Sequence, residues 1–251
     1  MLNIVIPMAG AGSRFVNAGY ENPKPLISIN NIPMIKVVIN NLRPQCQHRF
    51  IFIVQKSHVK KYDVANKLME WAENSIVIET DNLTEGAACT VLLAKEYINS
   101  ADSLMIANSD QYIDCDINTY ISAISEVNYQ GGIMTMTADD PKWSFVGFDD
   151  SGRIDRVVEK MAISNEATVG IYNFSHGTDF VTSAEEMIES NDRVNGEFYV
   201  APTYNYLIKK GASIGVYNIG TEANGMYGLG TPADLELFLK LPVSIKATKG
   251  L

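Results

Sequence analysis

The chain has 251 residues, is 46% hydrophobic and carries a net charge of −9 at pH 7. It is therefore long enough to bury a core, and too acidic for duplex nucleic acid or an anionic membrane to be its main partner. The three cysteines, Cys46, Cys89 and Cys115, form no CxxC pair, which argues against a disulfide framework or a zinc ribbon and favours a reducing cytoplasm. No basic leader follows Met1 and no apolar run approaches about 18 residues, so neither export nor membrane insertion is expected.

The first half of the sequence alternates short β-branched runs with segments of helical period. Strands are predicted at residues 3–6, 50–54, 75–79 and 103–107, and helices at residues 33–42, 58–73 and 87–98. Because these strands are apolar on both faces, the pattern predicts a mainly parallel sheet covered by helices on each side, as in a Rossmann-like α/β fold.

After Gly131 the pattern becomes rich in strands. Strands are predicted in the stretches GGIMTM, FVGFDD, RIDRVVE, ATVGIYNF and SIGVYNI, and helices at residues 178–189, 202–209 and 232–239. The sequence contains no internal repeat, low-complexity tract or linker. We therefore expect a single domain over residues 1–251, with residues 1 to about 130 as one half and about 131–251 as a smaller, strand-rich lobe.

A glycine-rich turn, GAGSRF, follows the first predicted strand. Gly10 and Gly12 allow positive φ and let backbone N–H groups approach an anion, although a plain tight turn explains a bare GxG equally well. A dinucleotide fingerprint requires Gly where Phe15 stands, and a P-loop requires GK[ST], so neither motif is present.

Two cations accompany this turn. Arg14 lies within it, and Lys24 lies between Pro23 and Pro25, which are expected to hold the backbone extended and so limit the reach of the lysine. A planar guanidinium and a point charge form a suitable pair for neutralising a triphosphate.

The stretches PMAGAGSRF and PKPLI together resemble the signature of the sugar-phosphate nucleotidyltransferases. Later stretches resemble that family in the same order, namely TEGAACTVLLA, NSD, VVEK, VGIYNF and GTPADLELF. The resemblance spans nearly the whole chain. It implies a GT-A-like nucleotidyltransferase fold with a lobe for the acceptor, and a reaction that joins a nucleoside triphosphate (NTP) to a phosphorylated small molecule and releases pyrophosphate.

The resemblance also implies roles for individual residues. Arg14 and Lys24 would be catalytic. Nucleotide contacts would come from Ala9, Gly10, Gly12, Ser13, Gly86 and Ala87, and acceptor contacts from Glu159, Lys160, Gly170 and Glu197. Simpler structural explanations exist for several of these: Thr84 as a helix cap before Ala87, Glu159 and Lys160 as alternating strand residues, Gly170 as a bulge, and Glu197 as a charge at a helix start.

Asp110 follows the predicted strand at residues 103–107 and is the candidate ligand for Mg²⁺. It can alternatively cap the next helix. The resemblance implies a second Asp or Asn two residues before the late GT, where this chain has Gly228; Glu222, Asn224 or water are possible substitutes.

The resemblance leaves the substrates open. A sugar 1-phosphate, used in the cytoplasm for capsule or lipopolysaccharide synthesis, is the first expectation, and self-association is common among relatives. The short chain and the GLGTP ending also resemble cytidylyltransferases that act on non-sugar phosphates. Two other classes stay open: a glycosyltransferase using the DxD of Asp114 and Asp116, and a non-catalytic regulatory subunit.

Overall fold

The computed structural model describes all residues 1–251, and its first half alternates strands with helices. The strands are β1 (Leu2–Pro7), β2 (Ser28–Ile29), β3 (Ile32–Pro33), β4 (His48–Gln55), β5 (Ile76–Thr80), β6 (Ser103–Ala107) and β7 (Gln111–Ile113). The helices are α1 (Ser13–Asn17), α2 (Met34–Leu42), α3 (Lys56–Tyr62), α4 (Val64–Trp71), α5 (Ala87–Leu92), α6 (Lys95–Ile98) and α7 (Ile117–Glu126), with a 3-10 turn at Lys24–Leu26.

The second half contains the strand-rich lobe. Its strands are β8 (Gly131–Thr137), β9 (Ser144–Phe148), β10 (Ile154–Glu159), β11 (Glu166–Phe174), β12 (Ile214–Glu222) and β13 (Gly225–Gly228). Its helices are α8 (Gly177–Glu189), α9 (Tyr204–Lys209), α10 (Pro232–Lys240) and α11 (Pro242–Thr248), with a 3-10 turn at Ala201–Thr203. No helix of the chain combines the length and the apolar character that crossing a membrane requires.

One sheet of 11 strands runs through both halves, in the order β5-β4-β1-β6-β11-β8-β12-β13-β7, with β9 and β10 attached as a hairpin to β11. The block β5-β4-β1-β6 is parallel, whereas β11 is antiparallel to both β6 and β8. This mixed α/β sheet flanked by helices confirms the predicted fold class.

The sheet has an apolar core on each face. In β1 the side chains of Ile4 and Ile6 pack into one core cluster and that of Val5 into the other, as the alternation of side chains along a strand requires. A third cluster brings Phe15 of α1 together with Leu229 and with Phe238 of α10. This third cluster fixes the glycine turn against the loop that follows β13, although the two are more than two hundred residues apart in sequence.

Two predicted helices are each divided in two. The segment at residues 58–73 forms α3 and α4, because Asp63 adopts a left-handed conformation with φ 54° and interrupts the helix between them. The segment at residues 87–98 forms α5 and α6, separated by Leu93 and Ala94. The sequence analysis also missed α7, and among the shorter elements it missed β7, β13 and α11, which have too few residues to show a clear period.

Candidate active site

The glycine turn lies at the carboxyl end of β1, the edge at which open α/β sheets bind their ligands. Gly12 has φ 61°, so it uses the conformational freedom that glycine provides. The N–H groups of Ala9, Gly10, Ala11 and Gly12 donate to no other backbone group. Gln55 Nε2 donates to the Ala9 carbonyl at 2.8 Å and so holds the turn against β4. The turn therefore presents free donors to an anion.

The two predicted cations differ in their surroundings. Lys24 Nζ lies 2.9 Å from Asp110 Oδ2, and the two side chains are 23% and 25% exposed. Arg14 is exposed and has no ion pair, so its guanidinium is free for a ligand. The backbone at Lys24 differs from the prediction. Pro23 is extended, but Lys24 begins a 3-10 turn, since Leu26 N–H donates to the Pro23 carbonyl at 2.8 Å.

The loop before α5 is held by backbone hydrogen bonds to the segment around Phe198. Phe198 N–H donates to the Glu85 carbonyl at 2.8 Å, and Ala88 N–H donates to the Phe198 carbonyl at 3.0 Å. Gly86 precedes the helix with φ 133° and no side-chain cap. Thr84 Oγ1 donates instead to the Gly86 carbonyl at 3.0 Å. The interpretation of Thr84 as a simple helix cap is therefore wrong.

Gly86→Ala is expected to destabilise the protein by about 3 kcal/mol, because the added Cβ needs a conformation that essentially only glycine adopts and must also displace backbone. An ideal Cβ at Gly86 would lie 2.4 Å from the Phe198 carbonyl oxygen. Thermal unfolding measures the effect, with Gly10→Ala as the matched control because nothing lies within 4 Å of its Cβ position. Equal melting temperatures for the two variants would contradict the assigned close contact.

A cleft of about 480 Å³ connects the glycine turn, the Gly86 loop and the end of β6. Its lining comprises Pro7, Ala9, Gly10, Ala11, Lys24, Leu83, Thr84, Gly86, Ala87, Thr90, Asn108, Ser109, Asp110 and Glu197. A second hollow of about 260 Å³ lies beside it in the strand-rich lobe. Ala87 and Asn108 line both spaces, so the cleft and the second hollow adjoin each other.

Two of the predicted acceptor residues meet at the end of the β9–β10 hairpin. Glu159 is buried, accepts a hydrogen bond from Ser144 Oγ and lines the second hollow. Burial raises the pKa of the Glu159 carboxyl. Lys160 is exposed, and its Nζ donates to Tyr199 Oη at 2.8 Å, which raises the pKa of the lysine. A carboxylate and an ammonium group thus lie side by side in this lobe.

Gly170 lies on β11 and lines the second hollow. Its φ is 77°, and an ideal Cβ would lie 2.0 Å from Asn108 Nδ2. The register of β11 shifts between Thr168 and Tyr172, so the bulge that a strand glycine predicts is present. Asn108 N–H donates to the Gly170 carbonyl at 3.0 Å, which joins the end of β6 to the second lobe.

Glu197 does not lie in the second hollow. It is exposed, forms an isolated bridge with Val194 and lines the larger cleft near Gly86. It precedes no α-helix directly, so the interpretation of Glu197 as a charge at a helix start is wrong.

The position that faces Asp110 is Gly230. An ideal Cβ at Gly230 would lie 2.9 Å from Asp110 Oδ2, whereas one at Gly228 would lie 3.7 Å from the carboxyl carbon of Asp234. Gly228 therefore supplies no side chain at the place of the expected second ligand, and Gly230 is the glycine that approaches Asp110 most closely. Of the suggested substitutes, Glu222 forms an ion pair with Lys142 at 3.0 Å. No group of three or more His, Cys, Asp or Glu side chains is arranged to hold a metal.

The acidic pair of the DxD has other partners. Asp116 caps α7 by accepting from Asn118 N–H at 2.9 Å, and Asp114 forms an ion pair with Lys246 at 2.5 Å. Neither residue lines the cleft or the second hollow. The sequence analysis missed Trp143 and Tyr199, which line the second hollow. No spacing pattern marks these aromatic residues, because the fold alone brings them to the hollow.

The fold and the site define a class of protein: an α/β protein with a glycine turn of free backbone N–H groups and a lysine–aspartate pair at the carboxyl edge of its sheet, next to a second hollow in a strand-rich lobe. Comparisons with known proteins agree with this class. The family model "Nucleotidyl transferase" matches residues 4–201. The chain therefore belongs to the nucleotidyl transferase family.

Three relatives illustrate this membership. The chain is 25% identical to the bifunctional protein GlmU of Latilactobacillus sakei over 227 residues, which are 86% of this chain and 46% of that protein. It is 30% identical to the 2-aminoethylphosphonate cytidylyltransferase of Lancefieldella rimae over 177 residues, 69% of this chain and 67% of that protein. The crystal structure of a nucleoside-diphosphate-sugar pyrophosphorylase from Vibrio cholerae is similar with a TM-score of 0.80 and 26% identity, covering 95% of this chain and 100% of that one. The chain spans about half the length of the GlmU proteins it matches.

Proposed function

We propose that this protein is a nucleotidyltransferase that joins an NTP to a phosphorylated small molecule and releases pyrophosphate. The observation that carries the proposal is the arrangement at the cleft. Free backbone N–H groups of the glycine turn and the Lys24–Asp110 pair line one space, and a second hollow adjoins it. Arg14 does not line this space but follows the turn directly, with an exposed side chain that forms no ion pair. Membership of the nucleotidyl transferase family supports the same reaction.

The reaction needs no nucleophile from the protein. An oxygen of the acceptor phosphate attacks the α-phosphorus of the NTP, and pyrophosphate leaves from the opposite side. Because the second pKa of a phosphate monoester is about 6, the acceptor is already largely anionic at pH 7 and needs no strong base. The protein then contributes alignment and charge neutralisation, which are the main sources of catalysis in phosphoryl transfer.

We assign the triphosphate to the larger cleft. Backbone N–H groups of Ala9, Gly10 and Gly12, with Ser13, would hold the phosphates, and Arg14 and Lys24 would neutralise them. Gly86 and Ala87 would contact the nucleoside, because the absence of large side chains there lets a ring approach the backbone. Asp110 is the one carboxylate in the lining that also contacts Lys24. When bound, Mg²⁺ supplies charge neutralisation for the phosphates, and Asp110 would hold it.

We assign the acceptor to the strand-rich lobe. Glu159, Lys160 and Gly170 would contact it, and Glu197 would lie at the junction with the nucleotide. Residues 1 to about 130 would then bind the NTP and residues about 131–251 the acceptor, as two halves of one domain. The continuous sheet and the two adjoining spaces support this division.

For the acceptor we propose a sugar 1-phosphate first. The similarity to GlmU and to a nucleoside-diphosphate-sugar pyrophosphorylase supports this choice. We also propose that the reaction takes place in the cytoplasm, where the three free cysteines would stay reduced. A role in capsule or lipopolysaccharide synthesis stays a prediction.

A cytidylyltransferase acting on a non-sugar phosphate or phosphonate is the second candidate. The 30% identity to a 2-aminoethylphosphonate cytidylyltransferase favours it. A glycosyltransferase has less support, since both carboxylates of the DxD are engaged away from the cleft.

Pyrophosphate release tests both candidates directly. The assay crosses CTP, UTP, dTTP, GTP and ATP, each with Mg²⁺, against sugar 1-phosphates and against non-sugar phosphates and phosphonates. Turnover with one pairing is expected, and it identifies the base and the acceptor together. Silence across the panel, with an NTP still bound, would overturn the proposed function in favour of a regulatory subunit.

A further inference from the structure

The chain folds back on itself after α8, beside the larger cleft. Val194 N–H donates to the Glu197 carbonyl at 3.1 Å, and Glu197 N–H donates to the Val194 carbonyl at 3.0 Å. The two residues between them, Asn195 and Gly196, have φ of 51° and 82°, as a two-residue hairpin turn requires. Glu197 lines the larger cleft, so this turn contributes to the cleft wall.

The side chain of Arg193 connects this turn to the loop before α5. Arg193 Nη2 lies 2.7 Å from Glu85 Oε2, and Nη1 donates to the Gly196 carbonyl at 3.5 Å. Nε donates to Asn191 Oδ1 at 2.6 Å, and the guanidinium carbon lies 4.3 Å from the centre of the Phe198 ring. These four contacts form the Arg193 bridge, in which one planar group holds two segments of the cleft wall.

The bridge adds a second point of attachment between these segments. The first is the pair of backbone hydrogen bonds that Phe198 forms with Glu85 and Ala88. One attachment leaves two segments free to turn about it, whereas two attachments fix the angle between them. Arg193 does not line the cleft, and its side chain is 33% exposed, so its contacts are with the wall and not with the cleft space.

We propose that Arg193 is a positioning residue for the nucleotide: it fixes the loop of Gly86 and the turn of Glu197 relative to each other before the NTP binds. The inference rests on the proposed function, which assigns the nucleoside to Gly86 and Ala87. A wall that is already ordered pays no ordering entropy when the ligand binds. The Arg193 bridge therefore strengthens NTP binding without contact between the arginine and the NTP.

Equilibrium binding of an NTP tests the proposal without any turnover. CTP, UTP, dTTP, GTP and ATP are each titrated with Mg²⁺, without acceptor, in an isothermal titration calorimeter. Arg193→Met keeps a long side chain but removes the guanidinium, and it is expected to raise the Kd of the preferred NTP about tenfold. Its kcat is expected to stay within about threefold of the wild type, because Lys24 and Asp110 keep their places. The loss should therefore appear in the KM of the NTP.

Two further variants separate the bridge from a general loss of structure. Arg193→Lys keeps a charge beside Glu85 but lacks the planar fork, so it is expected to recover only part of the NTP affinity. Glu85→Ala removes the bridge from the opposite side, and the fold should tolerate it because Glu85 is 63% exposed. If the two residues act together, adding Glu85→Ala to Arg193→Met has little further effect on the Kd.

Arg43→Met is the matched control. The guanidinium carbon of Arg43 lies 5.8 Å from the centre of the Phe50 ring, and its Nη2 donates to the Trp71 carbonyl at 2.6 Å, outside the cleft. This variant loses similar contacts, yet its NTP affinity is expected to match that of the wild type. Circular dichroism would confirm that each variant is folded.

Three outcomes would overturn the proposal: an Arg193→Met affinity within about twofold of that of Arg43→Met, additive losses in the double variant with Glu85→Ala, or a loss confined to kcat. Pyrophosphate release by the wild type is scored separately. Its absence would overturn the proposed function, whereas unchanged NTP binding by Arg193→Met in an enzyme that turns over would overturn only this inference.

Discussion

Lys24→Ala is expected to lower kcat by about three orders of magnitude, the cost of removing one group that stabilises charge in the transition state. Lys24 lies on the wall of the cleft, beside the glycine turn: an ideal Cβ at Gly12 would lie 3.5 Å from Lys24 Cβ. The measurement is steady-state pyrophosphate release with the pairing that the substrate panel identifies. Loss of kcat with little change in the KM of the NTP would show that the lysine acts mainly in the transition state.

The fold of this variant should be preserved. Both partners of the Lys24–Asp110 pair are about a quarter exposed, so its loss is expected to cost no more than about 1 kcal/mol. Lys56→Ala is the matched control, because Lys56 forms an ion pair of 3.0 Å with Asp81 outside the cleft. If Lys24→Ala retained activity near that of Lys56→Ala, the assignment of Lys24 to the site would be wrong.

Asp110→Ala is expected to reduce turnover by a similar factor, about 10³-fold. The cause is different: this variant removes the carboxylate proposed to hold the divalent cation, while Lys24 stays in place. Raising the Mg²⁺ concentration should not restore the rate of Asp110→Ala. Metal dependence of pyrophosphate release, measured for the wild type and for the variant, checks this expectation.

Asp81→Ala is the control for this second variant, since it removes an exposed carboxylate that also pairs with a lysine. Its rate and its dependence on Mg²⁺ should match those of the wild type. Turnover by Asp110→Ala within a few-fold of the Asp81→Ala rate would show that Asp110 does not take part in the reaction.

Two residues in the β9–β10 region, Glu159 and Lys160, show how much of the proposed acceptor site can be predicted from local sequence. The VVEK stretch places Glu159 at the end of a predicted strand, and the structure puts it in the second hollow. The exposure of Lys160 and the burial of Glu159 follow from neighbours contributed by other segments, Tyr199 for the lysine and Ser144 for the carboxyl. Strand alternation alone predicts only that the two side chains point to opposite faces.

The sequence by itself determined the class of the fold, because apolar residues recur with the period of a strand or a helix within each segment. It also identified the glycine turn, Arg14, Lys24 and Asp110 as the residues of interest, since each belongs to a short motif with its own spacing. The division of residues 58–73 into two helices could not be predicted from the sequence. It depends on the left-handed backbone conformation of the single residue Asp63, which leaves the period of apolar residues unchanged.

Only the tertiary structure decided which of these residues meet. Lys24 and Asp110 are 86 residues apart in sequence, and the parallel pairing of β1 with β6 places their loops at one edge. Position 230 reaches the same carboxylate through the packing of Phe15, Leu229 and Phe238 in a single apolar cluster. Motif spacing places the expected second ligand at Gly228, but it does not reveal the close approach of Gly230 to Asp110, because a sequence gives the distance along the chain and not the direction in which a Cβ points. That direction is set by long-range packing, which is why the close approach of position 230 to Asp110 is visible only in the folded protein.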